Sequence, residues 1–419
     1  MISTLRNPVI ALALMAFTSP VAAQWTPVPD VPATDVFSVW ANGDTIAAGT
    51  DTSVYISADA GVTWRHSSKP AEGVVSIFAA RIRNGRLFIG TSGQGVFISD
   101  DLGDTWQDYN QGLVGGLFDS QLDVAELQVR GDSIYAATLG AGVYVRSLAA
   151  ADTWHHFGEE FEPNQASNVE DLALGGTRLL AAAGGNGSVF FRDPGDPEWT
   201  ISWLNNVGLH PGWQARSAAW DGSGWVVGTN VGVFRSDTGA EPWTPSGPGL
   251  GILLHSAFAT RGRHLFAAFV IVNAVVIEHS GDDGVTWQFL ESLPGAFVYR
   301  LAMSGSDLYA GRADGLWRRS TATVSAPGDA TPSGLRFALV GAQPVRDDLR
   351  FHFELPTAGS AAIEIFDIAG RRVADPVRGS WPAGTHEVSW SARGLAPGVY
   401  AARLTAQGRR AVVRIVRVR

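Results

Sequence analysis

The chain has 419 residues with a formal net charge of -9 and a pI near 5.5, and 45% of its residues are hydrophobic. This length exceeds one ordinary domain, and the apolar content is ample for buried cores. The acidic balance argues against nucleic acid as a partner, and the lack of cysteine excludes disulfides, thiol chemistry and cysteine-ligated metals.

Residues 1–23 have the pattern of a secretory signal peptide. Arg6 precedes an apolar run from Val9 to Phe17, and Val21-Ala22-Ala23 precedes Gln24. The apolar run is shorter than the roughly 20 residues that cross a bilayer, which argues against a membrane anchor. We predict cleavage after Ala23 and expect no transmembrane segment after cleavage. The expected location is secreted or at the cell surface, with the periplasm as transit or alternative.

One eight-residue pattern recurs along the chain and marks a repeat. It runs from Ser57 to Trp64, returns from Ser99 to Trp106 and from Ser280 to Trp287, and has weaker echoes that end at Trp154, Trp199 and Trp243. Successive tryptophans are 42 to 48 residues apart, a period typical of repeat architectures.

Each repeat contains four short apolar or alternating runs separated by turn residues, which predicts four antiparallel strands. In the first unit the runs are Val36 to Trp40, Thr45 to Thr50, Val54 to Ser57 and Thr63 to Ser67. A seventh unit, from Val298 to Arg318, lacks its fourth strand, and Trp25 to Pro29 can supply it. The predicted fold class is therefore all-β, with a seven-bladed β-propeller over residues 24–320 closed by the N-terminal strand.

Residues 321–334 are rich in small, turn-forming types and read as a linker. Alternating runs within residues 335–419 then predict a small Ig-like β-sandwich. These runs are Arg350 to Leu355, Ala362 to Asp367, His386 to Trp390, Gly398 to Thr405 and Ala411 to Val418.

The recurring Ser-x-Asp-x-Gly-x-Thr-Trp pattern resembles the Asp box, or BNR repeat, of sialidases, sortilin-type receptors and photosystem-assembly propellers. The resemblance implies a turn between the third and fourth strands of a blade and a structural, not catalytic, role. The residues expected in that role are Asp59, Gly61, Trp64, Asp101, Gly103, Trp106, Asp283, Gly284 and Trp287. Seven units and the lack of an Arg-Ile-Pro segment argue against sialidase activity.

The C-terminal segment resembles the sorting domains of type IX secretion systems (T9SS), which are similar to the Ig-like domain of flagellar hook-capping proteins. The matching stretches are Gln343-Pro344, Leu349 to Pro356, Ile365 to Val373 and Pro397 to Leu404. The resemblance implies contact with the secretion machinery, or attachment to the cell surface.

The innermost strand of each blade should line the central channel. Aligning these strands predicts one ring of side chains: Ser38, Ser76, Glu126, Asp171, Ser217, Ala257 and Arg300. Glu126 and Asp171 are the candidate catalytic pair, as general acid and base of a glycoside hydrolase, if the protein is an enzyme. Arg300 is a candidate binding residue, and solvated channel charges are the alternative explanation.

Long loops on one face are the other candidate binding region. They offer aromatic and acidic side chains: Phe118, Asp119, Glu159, Glu160, Phe161, His210 and Trp213. Such side chains could stack on sugars or meet a basic surface, but the aromatic ones could also simply anchor their own loops. We expect no cofactor and no metal, because adjacent strand residues such as His155 and His156 point to opposite faces.

The leading hypothesis is an exported, non-enzymatic propeller that binds an extracellular or envelope protein or a polysaccharide through its loop-rich face. The alternative is the glycoside hydrolase. A third hypothesis, by resemblance to the photosystem propellers, is an assembly factor.

Overall fold

The computed structural model describes most of the chain from Trp25 onwards. The described residues are 25–67, 70, 76–113, 122–149, 152–158, 168–183, 187–204, 212–246, 255–271, 274–294, 297–322, 336–340, 345–346, 348–355, 358–367, 371–382, 384–406 and 409–418. The predicted signal peptide lies outside them.

Seven four-stranded antiparallel sheets follow one another along the chain, which confirms the predicted propeller. The strands of blade 1 are Val36–Asn42, Thr45–Thr50, Val54–Ser57 and Arg65–His66. Those of blade 2 are Ile77–Arg83, Arg86–Thr91, Val96–Ser99 and Gln107–Asp108. Those of blade 3 are Val124–Arg130, Ser133–Thr138, Gly142–Ser147 and His155–His156. Blade 4 contains Val169–Gly175, Arg178–Ala183, Ser188–Arg192 and Thr200–Trp203. Blade 5 contains Ala215–Trp220, Trp225–Thr229, Gly232–Ser236 and Thr244–Ser246. Blade 6 contains His255–Arg261, His264–Ile271, Ala274–Ser280 and Gln288–Pro294.

Blade 7 joins the two ends of the propeller. Its first three strands are Val298–Ser304, Asp307–Arg312 and Gly315–Ser320, and its outer strand is Thr26–Pro27 from the start of the chain. Thr26 pairs with Arg318, and the Val28 amide donates to the Leu316 carbonyl at 2.8 Å. The N-terminal strand therefore closes the ring, as predicted.

Tryptophans at the ends of the repeats hold neighbouring blades together. The indole N–H of Trp154 donates to the Tyr109 carbonyl of blade 2 at 2.6 Å, and that of Trp243 donates to Ser202 of blade 4 at 2.8 Å. Both rings are almost fully buried. A buried indole needs a partner for its N–H, so each of these bonds also fixes how far one blade is rotated against the next.

Blade 6 differs from the others in strand length. Its outer strand has seven residues, whereas the outer strands of the other blades have two to four. Long exposed edges invite unwanted pairing. Val399 of the C-terminal region packs against the apolar cluster that includes Trp287 and Phe289 of this blade.

The C-terminal region forms two further antiparallel sheets around one core, consistent with the predicted sandwich. One sheet contains Arg336–Val340, Asp348–Leu355 and Gly384–Ser391, and the other contains Arg372–Trp381, Gly359–Asp367, Gly398–Ala406 and Arg409–Arg417. Two of these seven strands, Arg336–Val340 and Arg372–Trp381, were not predicted. The described residues contain no helix long and apolar enough to span a membrane.

Candidate functional site

The three recurring turns, from Ser57, Ser99 and Ser280 to their tryptophans, are here called the marker turns. Each joins the third and fourth strands of its blade. In the first, Asp59 Oδ1 accepts from the Ser57 hydroxyl and the Thr63 amide, both at 2.8 Å, and Asp59 Oδ2 accepts from the Thr63 hydroxyl at 2.6 Å. The Gly61 amide donates to Ser57 Oγ at 2.8 Å. Both carboxylate oxygens are thus used by the turn.

The third marker turn corrects one sequence assignment. Its turn-forming carboxylate is Asp282, not Asp283, since Asp282 accepts from the Thr286 amide at 2.8 Å and from the Thr286 hydroxyl at 2.6 Å. Asp283 occupies the next position, where φ is +60° as at Ala60 and Leu102, and it pairs with Arg263 at 3.0 Å. The acidic residue beside the true turn aspartate misled the alignment.

Hydrogen bonding keeps the marker carboxylates ionised. The Thr63 hydroxyl and amide, followed by the Ser57 hydroxyl, lower the pKa of Asp59 to about 2. The equivalent donors from Thr105 and Ser99 lower the pKa of Asp101 as well. A carboxylate that is strongly ionised and already bonded to its own turn is a poor general acid, which agrees with a structural role.

The channel ring is observed with one correction. Bulges in six of the seven first strands place Ser38, Ala79, Glu126, Asp171, Ser217 and Arg300 at equivalent positions, and Ala257 fills the place in blade 6. Ser76, predicted for blade 2, precedes its strand, which begins at Ile77. Each ring residue pairs with a Gly or Ala of the second strand, for example Ala79 with Gly90.

Four charged side chains meet across the channel. Arg300 of blade 7 reaches blades 3 and 4, which lie on the far side of the ring: its Nη2 is 3.4 Å from Glu126 Oε2 and 3.9 Å from Asp171 Oδ1. Arg81 of blade 2 pairs with Glu126 Oε1. We call Arg81, Glu126, Asp171 and Arg300 the channel cluster. The structure therefore brings together the three charged residues that were predicted from sequence and adds Arg81.

Burial dominates the chemistry of the channel cluster. It raises the pKa of Asp171 to about 6, Arg300 opposes this, and Glu126 adds to it. Burial would lower the pKa of Arg300, but Asp171, Glu126 and Glu170 outweigh it and the pKa is raised. A carboxyl with such a pKa could transfer a proton near neutral pH. However, the Arg300 guanidinium occupies the space between the two acids.

A second set of side chains lies at the bulges, one residue nearer the start of the first strands, at the mouth of the channel where the chain enters each blade from the preceding one. Phe37, Phe78 and Tyr299 occupy this position in blades 1, 2 and 7, and Phe297 lies beside Tyr299. Their ring centroids form a chain: Phe78 to Phe37 at 5.6 Å, Phe37 to Tyr299 at 4.9 Å, and Tyr299 to Phe297 at 4.9 Å. All four are only partly buried. We call them the aromatic row.

The aromatic row borders polar neighbours at the same mouth of the channel. The Tyr299 hydroxyl donates to Asp35 Oδ1 at 2.8 Å. At the bulge positions of blades 4 and 5, Arg216 Nη1 lies 3.1 Å from both carboxylate oxygens of Glu170. Sequence reasoning missed the row, although an aromatic residue directly before the ring position in three blades was a signal that could have revealed it.

Most of the loop residues proposed for binding fall outside the described residues: Phe118, Asp119, Glu159, Glu160, Phe161 and His210. Trp213 is described, and it packs against Phe234 at 5.3 Å as part of the core between blades 4 and 5. This favours an anchoring role for Trp213. Within the described chain, no group of three or more His, Asp or Glu side chains is arranged to hold a metal ion.

Comparisons with known proteins identify the fold. The sequence matches no protein-family model and no curated protein. Among solved structures, it resembles YCF48 bound to D1 peptide, with 15% identity, a TM-score of 0.53, and coverage of 74% of this chain and 97% of that one. YCF48 from Cyanidioschyzon merolae gives 14% identity, a TM-score of 0.55, and coverage of 72% and 99%.

A third similar structure also includes the C-terminal region in its match. It is the extracellular domain of a putative one-component system from B. thetaiotaomicron, with 11% identity, a TM-score of 0.51, and coverage of 94% of this chain and 59% of that one. At these identities the likeness shows the fold alone.

Proposed function

We propose that this protein is an exported, non-catalytic propeller that binds an extracellular or envelope protein through its loop-rich face. The observation that carries the proposal is the aromatic row, four partly exposed rings at the channel mouth of that face. Aromatic side chains dominate the energetics of protein interfaces, and apolar side chains that form one contiguous patch mark an interaction site more often than scattered ones do. The sequence predicts that the long loops entering blades 3, 4 and 5 add to this surface, although most of their residues lie outside the described ones.

The geometry of the row favours a protein over a glycan. Sugars stack on flat ring faces, but here Phe37 and Phe78 meet at 80°, Phe37 and Tyr299 at 49°, and Phe297 and Tyr299 at 42°. Such a corrugated surface suits inserted side chains better than a sugar ring. One structure of similar fold holds a peptide and another is an extracellular domain, which is compatible with this proposal.

A paired variant tests the binding surface. Phe37→Ser with Phe78→Ser should weaken saturable binding of purified protein to an envelope-protein fraction at least about tenfold. Val62→Ser with Val285→Ser is the matched control, because these exposed valines lie on marker turns at the opposite face. Equal binding by both variants, or binding to purified polysaccharides only, would contradict the proposal.

We further propose the organisation and route of export that the sequence predicts. Residues 1–23 direct export, residues 24–320 form the binding propeller, residues 321–334 link it to the rest, and residues 335–419 serve secretion or surface attachment. Fractionation of cells that express the full chain and a chain lacking residues 335–419 tests this. Identical secretion of both would remove the C-terminal role.

Glycoside hydrolysis remains the second candidate, because one Arg300 nitrogen lies 3.4 Å from Glu126 and 3.9 Å from Asp171. The two carboxylates are therefore within about 7 Å, a separation that paired-acid catalysis tolerates. The observed ion pairing of both acids is the argument against it. Sugar release from a polysaccharide panel that disappears in both Glu126→Gln and Asp171→Asn would establish this function and displace the first.

A further inference from the structure

The aromatic row carries a negative charge at its centre. Tyr299, which contacts both Phe37 and Phe297, donates its hydroxyl to Asp35 Oδ1 at 2.8 Å. Asp35 directly precedes the first strand of blade 1 and is only partly buried. Within the described chain Oδ2 has no bonded partner, so one carboxylate oxygen of Asp35 remains for a second donor.

Tyr299 keeps this arrangement fixed over the accessible pH range. Burial, and then the bond to Asp35 and its charge, raise the pKa of Tyr299 to about 12. The phenol therefore stays protonated and continues to donate. A carboxylate that is held in place and partly removed from water gains more from a cation than a mobile surface carboxylate does.

Among the described residues, no arginine forms an ion pair with Asp35. Arg216 is paired with Glu170 at 3.1 Å, and Arg312 is paired with both oxygens of Asp314 at 2.8 and 3.0 Å. Asp123, which also lies at this face, accepts from the Ser92 hydroxyl at 3.1 Å. The described part of the mouth therefore combines apolar rings with uncompensated acidic charge.

We propose that the channel mouth recognises an arginine or lysine side chain within an apolar segment of the partner protein. Asp35 provides the counter-charge, the faces of the aromatic row hold the cation and the flanking apolar side chains, and Tyr299 is the positioning residue. This inference rests on the proposed function and narrows its partner from any protein to a cationic, apolar peptide segment.

The test uses the purified full chain and immobilised peptides built around a central Leu-Arg-Leu segment. Each peptide is paired with a copy in which citrulline replaces arginine, which keeps the shape but removes the charge. We expect the arginine peptides to bind about tenfold more tightly than their citrulline copies, the size of one charge-assisted hydrogen bond. Raising the salt concentration should reduce this ratio.

Three variants assign the preference to its residues. Asp35→Asn should remove the arginine preference and leave weaker, charge-independent binding. Tyr299→Phe keeps the ring but frees Asp35, and should reduce the preference without abolishing it. Asp123→Asn, the matched control on the same face, should retain the full preference. Thermal unfolding of each variant shows whether the fold is intact.

The outcomes separate this inference from the proposed function. Peptide binding that depends on Phe37 and Phe78 but does not distinguish arginine from citrulline would overturn the inference and leave the function standing. A preference that survives Asp35→Asn would do the same. Binding to polysaccharides alone, or to no probe at all, would overturn both.

Discussion

At the scale of single residues, the marker turns leave no room for substitution at their glycine. Gly61 has a φ of +82°, and a Cβ placed there would lie 2.1 Å from the Tyr309 hydroxyl of blade 7. Gly93 has a similar φ of +76° but no atom within 4 Å of such a Cβ. A comparison of substitutions at Gly61 and Gly93 therefore distinguishes the cost of backbone strain from the cost of a steric clash between blades.

We expect Gly61→Ala to lower the free energy of unfolding by about 2 to 4 kcal/mol and Gly93→Ala by about 1 kcal/mol, because only the first adds overpacking to the cost of a left-handed backbone. Denaturant titration of both variants measures the difference. Equal costs would mean that the contact with Tyr309 relaxes freely.

Asp171 gives the stability a distinctive pH dependence. Its folded-state pKa, about 6, lies above the ordinary value of 3.8, so the folded protein binds this proton more tightly than the unfolded chain does. The stabilisation is complete below pH about 4 and is lost as the pH rises through about 6. Asp171→Asn removes this loss.

Between pH 4 and pH 7, the free energy of unfolding of Asp171→Asn should therefore rise relative to that of the wild type by up to about 3 kcal/mol. This follows from about 1.36 kcal/mol for each unit by which the pKa of Asp171 is raised. Asp59→Asn is the contrasting control. The pKa of Asp59 is lowered to about 2, so the contribution of Asp59 is lost only as the pH falls below about 4. Denaturant titrations across this range measure both, and a flat difference for Asp171→Asn would contradict the assignment.

The positions of single residues were predictable where a pattern repeated. The prediction was wrong where two residues near each other in the sequence could fill the same position. Glu126, Asp171 and Arg300 were placed correctly because their strands align without ambiguity. Asp283 was chosen over Asp282 because two aspartates stand side by side. Ser76 was chosen over Ala79 because the apolar run was counted from its beginning. Counting back from the Asn84-Gly85 turn, with Gly90 as the partner residue, would have given the observed register.

At the scale of elements, the short N-terminal strand contributes far more than its length suggests. It has only two paired residues, yet Trp25 and Val28 on either side of it are buried in blade 7 and its neighbours. Closure therefore depends on packing as well as on hydrogen bonds.

Trp25→Ala with Val28→Ala should lower the free energy of unfolding by about 4 kcal/mol or more, because large-to-small changes in a core leave cavities. Thr26→Ala is the matched control on the same strand, because Thr26 is exposed, and it should cost less than about 0.5 kcal/mol. Thermal or denaturant unfolding compares the two. A small effect of the double change would show that the ring stays closed without these side chains.

The blades were predictable because four strands, four turns and one tryptophan recur with nearly constant spacing. The sandwich was harder to read because its strands do not repeat. Arg372–Trp381 contains Pro376 and has little alternation, and both features disfavour a strand. It is nevertheless an edge strand, where proline is tolerated because one side needs no donor. The aromatic row was missed because it is completed only when ring closure brings blade 7 beside blade 1, which joins Tyr299 to Phe37.

At the scale of the whole molecule, the channel cluster connects opposite sides of the ring. Arg300 of blade 7 is the cation that Glu126 of blade 3 and Asp171 of blade 4 share. The Arg300 side chain is only 18% exposed, so its loss would leave the buried carboxylates of Glu126 and Asp171 without this cation. The cluster therefore stabilises the closed ring only as a unit.

We expect Arg300→Met to cost about 3 to 5 kcal/mol at neutral pH, and the addition of Asp171→Asn to recover part of this loss. Arg65→Met is the control, because its pair with Asp104 is exposed and should contribute less than about 1 kcal/mol. A double-mutant cycle from unfolding measurements gives the coupling. Additive effects would show that the three charges act independently.

The closing strand has a consequence for the order of events during folding. Thr26 meets Arg318, 292 residues further along the chain. The N-terminal strand is therefore synthesised long before Gly315–Ser320, and it waits until nearly the whole propeller has emerged before it can pair. Contacts of such sequence separation form slowly. During this interval Trp25 and Val28 stay exposed. A chain that stalls before blade 7 is complete would therefore keep an N-terminal strand that proteases can cleave and that associates with other apolar surfaces. In the finished ring both side chains are buried.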